Sequence, residues 1–198
     1  MELEAAESYY DNTWLNGSVV EAGKDHLQAQ FNAILGDSMS LPEPCIRTLS
    51  MNELPSLLGD EEIESMGVYI PVLGDVQGGM MFISTADAIV GLLDALQLRS
   101  DRSAVPMDAF DRLTIGQITA RMGDAFLGQM NRMSGMVSHL GAPVVMMDMA
   151  GSILDTAVIN TCQHSDHILV VEFSLVHGLT KQVFSLWLIP DFYQDAFV

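Results

Sequence analysis

Basic residues are scarce: eight Lys and Arg stand against 26 Asp and Glu, a formal charge of −18. Such a chain has no clustered cations to neutralise phosphates, which argues against nucleic acid as a partner. Anionic membrane surfaces are disfavoured for the same reason. Cysteine is nearly absent; Cys45 and Cys162 are too few for a disulfide framework. No apolar run reaches the roughly 18 residues that span a bilayer. The start, MELEAAESYYDN, is acidic and polar and lacks the basic and apolar regions of a secretory signal. The expected compartment is therefore the cytoplasm. A Gly-rich phosphate loop, a nucleophile elbow and a His-Glu metal pair are all missing. His164-Ser165-Asp166-His167 has metal-ligand residue types but lies between two strand candidates, where polar turns are routine, so no metal or cofactor is expected.

What is present is a globular chain. Its 198 residues, 49% of them hydrophobic, suffice for one substantial core or two fused halves. The acidic excess favours basic partners, or serves solubility alone. Half of the 14 methionines lie in or just after one helix, chiefly as core filler.

That helix is the clearest element. Leu113 to Met136, LTIGQITARMGDAFLGQMNRMSGM, repeats apolar residues at Ile115, Ile118, Met122, Phe126, Met130 and Met133. The spacing of three or four makes one helical stripe. Thr114 is read as its cap and Gly135 as its stop. Upstream, Met1 to Asn16 is a loosely held lead. Glu21 to Met39 is helical, with Leu27, Phe31, Ile34 and Leu35 in a stripe, and Pro42 and Pro44 end it. Cys45 to Leu49 is a short strand, Asn52 to Leu58 a short helix and Gly59 to Ser65 a polar loop. Gly67 to Leu73 and Gly78 to Ser84 pair across Gly74-Asp75-Val76-Gln77. Thr85 caps a helix to Leu96. Arg99 to Pro106 has linker chemistry, and Asp108 leads into the long helix. Val144 to Met149, Ala157 to Cys162 and Ile168 to Leu175 are strand candidates, Gly178 a turn, Gln182 to Leu188 the last strand, and Asp191 to Phe197 a closing helix.

The order repeats. Gly74 with Ala86-Asp87 echoes Gly178 with Pro190-Asp191, and Gln30 to Asp37 echoes Gln117 to Asp124. Both point to an internal duplication with pseudo-two-fold symmetry, repeat one at about 17–98 and repeat two at about 107–198, within a single domain over 1–198.

The helix LTIGQITARMGDAFLGQMNRMSGM resembles, without a gap, the signature helix of the CheC family of chemotaxis phosphatases, and VMMDMAGSILD (145–155) is similar to the strand and turn that follow it there. The resemblance covers most of the chain, chiefly 67–95 and 113–190. It implies an α+β fold: two duplicated halves, antiparallel sheets joined edge to edge, and two long signature helices side by side. It implies a substrate or partner too, the phosphorylated CheY-type response regulator, and a second partner, the receptor deamidase CheD.

In phosphatases of that family each signature helix offers D/S-x-x-x-E-x-x-N. Glu and Asn share a helix face. The Asn orients water in line with phosphorus, and the Glu pairs with a lysine of the regulator, so catalysis is positioning rather than covalent chemistry. This chain departs from the pattern. In the second helix those places hold Leu113, Gln117 and Ala120, with Arg121 adding a charge. Gln117, Ala120, Arg121 and Asp124 remain as a binding face or a merely solvated one. In the first helix, counting back from Pro44 puts Gly17, Glu21 and Lys24 in the three places. The internal echo puts Gln30 and Ala33 there instead, and a third register runs Asp25, Ala29, Asn32. No register completes the motif.

Three readings follow. The first is a binding module that docks CheY-type receivers or CheD without turnover. The second is a weak phosphatase with Glu21 as the surviving acid and Asn32 or Gln117 as the amide. The third is a flagellar switch component, because the middle domain of FliM shares this fold and lacks the catalytic pair.

Overall fold

The computed structural model describes residues 17–35, 39–40, 45–50, 53, 62–99, 107–161, 167–177 and 183–191. Their order is α1 (Gly17–Leu35), β1 (Met39–Ser40), β2 (Cys45–Ser50), β3 (Glu64–Gly74), β4 (Gln77–Thr85), α2 (Ala86–Ala95), α3 (Ala109–Ser134), β5 (Ser138–Leu140), β6 (Val144–Met149), α4 (Ala150–Thr161), β7 (His167–His177) and β8 (Val183–Asp191). The fold is α+β, as the sequence implies. Among the described residues no helix is long and apolar enough to cross a membrane.

All eight strands form one antiparallel sheet. Hairpins β3–β4 and β7–β8 meet along β4 and β8, where Met81 lies opposite Trp187. Side chains alternate along the strands, so each face of the sheet builds its own core. On one face Met66, Val68, Ile70, Phe82, Phe184 and Leu186 pack under α1, α2 and α3. Phe82 and Phe184 stack with ring centroids 5.8 Å apart. On the other face Tyr69, Met81, Trp187 and Ile189 pack against Ala150, Ile153 and Leu154 of α4.

Two sets of pairings cross between the early and late parts of the chain and mirror each other. Strand β2 lies on β7 with Cys45 opposite Glu172 and Ser50 opposite His167; β6 lies on β3 with Val144 opposite Tyr69 and Met149 opposite Glu64. Strand β1 sets Met39 against His177 as β5 sets Ser138 against Gly74. Both short strands and their successors are thus related by one step of 99 residues, Met39 to Ser138 and Cys45 to Val144.

Several sequence expectations change. Helix α1 begins at Gly17 and stops at Leu35, and Met39 belongs to β1. The stretch Ala157 to Cys162, expected as a strand, is helical through Thr161 in α4. That helix buries Ile153 and Leu154 against the sheet, so tertiary packing overrides β-branched composition. Strand β5 was not anticipated. Ala86 and Asp87 open α2 whereas Pro190 and Asp191 close β8, so those dipeptides are not equivalent. Arg99, read as linker, is a buried anchor. The lead, the Asn52–Leu58 helix apart from Glu53, the 164–166 turn, Gly178 and the closing helix beyond Asp191 lie outside the described residues.

The hairpin turn is tied to the end of α3. Asp75 N donates to Val137 O (3.0 Å), Val137 N donates to Asp75 Oδ2 (2.8 Å), and Val76 N donates to Ser138 Oγ (3.0 Å). The tie needs Gly74, whose φ is +118° and whose added Cβ would collide with the Val137 carbonyl. Gly74→Ala is expected to destabilise by about 2 kcal/mol, combining left-handed strain with that collision. A denaturant midpoint equal to that of the parent would remove this account of the turn.

Candidate functional site

Helices α1 and α3 lie side by side, packed along their lengths. Gly23 permits the approach: a Cβ there would sit 2.6 Å from Phe126 Cε2. Phe126 and Leu27 are fully buried at this seam. The opposite, outward faces form the candidate site.

Helix α3 starts earlier than expected. Its N-cap is Asp108, not Thr114. Asp108 Oδ1 accepts from Asp111 N (2.8 Å), and the Asp111 carboxylate reaches back to Asp108 N (3.4 Å), a capping box. Thr114 Oγ1 instead donates to Phe110 O (2.8 Å). Gly135 closes the helix at φ 75°, as expected. The extra turn adds Phe110, 54% exposed, which the sequence reading missed. The outward line is then Phe110, Leu113, Gln117, Arg121 and Asp124, at spacings of three and four, and all five are exposed. Met133 is 47% exposed and leaves the buried stripe. Ala120 is half-buried against the core and presents no polar atom. The structure therefore brings Gln117, Arg121 and Asp124 onto one solvent face.

The expected residues of α1 separate. Glu21 pairs with Lys24 one turn on, and Lys24 is almost fully buried. Asn32 Oδ1 accepts from Gln28 Nε2 (2.8 Å). Glu21 and Asn32 are eleven residues apart on one helix, about 16 Å at 1.5 Å per residue. One phosphoryl group cannot touch both.

The 99-residue step also carries α1 onto α3, since their last residues are Leu35 and Ser134. On that register Ser18 matches Gln117, and Glu21 matches Ala120. Glu21 is thus the α1 counterpart of Ala120 on this register. Asn32 matches Asn131, whose carboxamide donates to Ser138 O (2.6 Å) and accepts from Ser138 N (3.2 Å), clamping β5 to the helix end. Asn131 is therefore a tether, whereas Asn32 bonds within its own helix to Gln28. A sequence signal for the register exists: Gln30-Phe31-Asn32, Gly36, Leu41 and Pro44 repeat as Gln129-Met130-Asn131, Gly135, Leu140 and Pro143.

A groove of about 300 Å³ opens between the helices, lined by Ala22, Asp25, His26, Ala29 and Gln129. Among the described residues no group of three or more His, Cys, Asp or Glu could hold a metal. Cys45 is exposed at the sheet edge, and its Sγ accepts from Arg47 Nε (3.1 Å). That bond, with the charges of Cys45 and Glu172, raises the Arg47 pKa.

No family model matches the chain. It is 19% identical over 179 residues to the CheY-P phosphatase CheC of Bacillus subtilis (strain 168), covering 88% of this chain and 85% of that protein. Its fold is similar to the crystal structure of Thermotoga maritima FliY, with a TM-score of 0.68 at 15% identity, covering 91% of this chain and 90% of that one. It is also similar to a chain of the CheX–CheY–BeF3–Mg2+ complex of Borrelia burgdorferi, with a TM-score of 0.51 at 14% identity, covering 87% and 97%. These structural likenesses establish the fold.

Proposed function

We propose, on the premise that this chain belongs to the CheC-like family of chemotaxis proteins, that it docks a phosphorylated CheY-type receiver on the outward faces of α1 and α3 and does not hydrolyse the phosphate. One observation carries the reading. The places that would aim water at phosphorus hold Ala120 in α3 and Glu21 in α1, and neither is a carboxamide. A positioned catalytic group of this kind is worth on the order of 10²–10⁴ in rate. Its loss from both helices removes turnover while the exposed ridge stays available for contact. The similarity to a chain of the CheX–CheY–BeF3–Mg2+ complex supports the choice of partner.

The same premise favours an internal duplication. The recurrent strand registers and the shared helix-end step support two repeats fused through β4 and β8 into one domain. The weak-phosphatase alternative built on Glu21 with Asn32 loses its geometry, because the two stand several turns apart on α1.

Purified CheY-type receivers from the same genome, titrated with this chain, test the reading. Binding is expected, with phosphate release no faster than the receiver's own decay. Release accelerated above that decay overturns the claim of lost turnover. Absence of any binding overturns docking.

A further inference from the structure

Arg121 is unusual in its surroundings. Among the described residues most cations are already engaged. Lys24 pairs with Glu21, Arg47 with Glu172, and Arg99 with Asp94 and Asp111, while Arg132 donates to Gln129. Arg121 forms no ion pair or hydrogen bond there, although Asp124 stands three residues on. Arg112, similarly unpaired, lies half a turn round the helix, nine residues and about 900° away. Arg121 is therefore the one cation of the outward line, in a chain of net charge −18. It follows Gln117 by one turn, so the two side chains can reach a common target. Beside it Ala120 offers nothing to hold water.

We propose that Arg121 reads the phosphorylation state of the docked receiver. Its guanidinium forks onto the phosphoryl oxygens of the aspartyl phosphate, and the Gln117 amide donates to the same group. This inference rests on the docking reading. An aspartyl phosphate is a dianion presenting several acceptor oxygens, the chemistry that a planar guanidinium matches in bidentate fashion. Phe110 and Leu113 supply apolar contact that is blind to phosphorylation. The division of labour is thus built along one ridge: two apolar anchors at the start of α3, then a carboxamide and a cation. With no group to aim water in line, the phosphoryl is held and shielded.

The test measures affinity for one purified CheY-type receiver in two forms, with Mg2+ alone and with Mg2+ and beryllofluoride. The parent chain is expected to prefer the beryllofluoride form by roughly tenfold to a hundredfold, the range of a charge-assisted bidentate contact. Arg121→Ala is expected to lower the ratio of the two affinities to a few-fold, the part left to the neutral Gln117 amide, and Arg121→Ala with Gln117→Ala to about one. Arg121→Lys keeps the charge but not the fork, and retains part of the ratio. Phe110→Ala weakens both forms by a similar factor and leaves the ratio standing. A parent chain without preference, or an Arg121→Ala chain that keeps it in full, overturns the inference while the docking reading survives. Failure of the parent to bind either form overturns both. Arg121 is exposed, so the thermal midpoint of its variants should match the parent and separates lost recognition from lost folding.

Discussion

Arg99→Ala is expected to lower the stability of this protein by about 3–5 kcal/mol, the cost of leaving a buried ion without its partner. For a chain of this length that corresponds to a fall in Tm on the order of 10 °C. The Arg99 side chain is 2% exposed and the Asp111 side chain 1%. Arg99 Nε lies 3.4 Å from Asp111 Oδ2, and Nη1 lies 3.5 Å from Asp94 Oδ2 at the end of α2. Asp111 Oδ1 and Asp94 Oδ1 are buried with no hydrogen-bond partner. Removing the guanidinium therefore strands two carboxylates that are already under-satisfied. Removing both partners should cost less than removing one. The pair Arg99→Met with Asp111→Leu discards the two most buried charges together; it loses half of the capping box, about 1 kcal/mol, and leaves Asp94, whose side chain is 37% exposed, to solvent. Thermal unfolding of the single and double variants checks this. A double variant as unstable as the sum of its singles would show that the ion pair is not the source of the cost. There is a functional corollary: the same carboxylate fixes the first turn of α3, which carries Phe110, so Arg99→Ala should also blunt docking.

Much of this architecture was readable from residue spacing, and the failures have identifiable physical causes. The hairpin was legible as Gly67–Leu73 and Gly78–Ser84 because Gly74 and Asp75 mark the turn and apolar residues fill both strands, whereas Glu64 and Ser65, expected in a polar loop, begin β3. The cap at Thr85 was legible because its Oγ1 accepts from Ala88 N, as an N-cap side chain should. The start of α3 was not, because Phe110 and Leu113 are apolar yet exposed, so the first turn carries no hydrophobic period. The signal lay instead in Asp108-x-x-Asp111, a capping box with Asp rather than Glu at its third helical position. The strand expected at Ala157–Cys162 failed because propensity is a weak prior beside the burial of Ile153 and Leu154. The spacing of α1 offers more than one register for the signature places. Counting back from Pro44 puts Glu21 in the Glu place, and neither that count nor the echo of Gln30 to Asp37 with Gln117 to Asp124 uses the Gln-x-Asn and Gly-to-Pro spacing that recurs at 99 residues. On that register Glu21 is the counterpart of Ala120, and Asn32 the counterpart of Asn131, which clamps β5.

Gly23→Ala is expected to change sign with its background. Alone, it places a methyl 2.6 Å from Phe126 Cε2 and 2.9 Å from Cδ2. The ring is fully buried and has nowhere to go, so overpacking of about 1–3 kcal/mol outweighs the roughly 1 kcal/mol that Ala gains over Gly within a helix. Phe126→Ala alone should cost about 3–5 kcal/mol, because it empties the seam between α1 and α3. In that background the methyl of Gly23→Ala enters vacated space and the helix gain is released, so the double variant should be about 1 kcal/mol more stable than Phe126→Ala. Urea midpoints of the four chains form the cycle. Additive behaviour would mean that Gly23 does not set the helix spacing. The outward ridge depends on that spacing: whatever α1 contributes to docking is held in line with Gln117 and Arg121 only while the two helices stay in contact at Gly23. Gly23→Ala should therefore weaken receiver binding by a larger factor than its stability loss explains, and adding Phe126→Ala, which gives the methyl room, should restore part of that binding although the double variant stays less stable than Gly23→Ala alone.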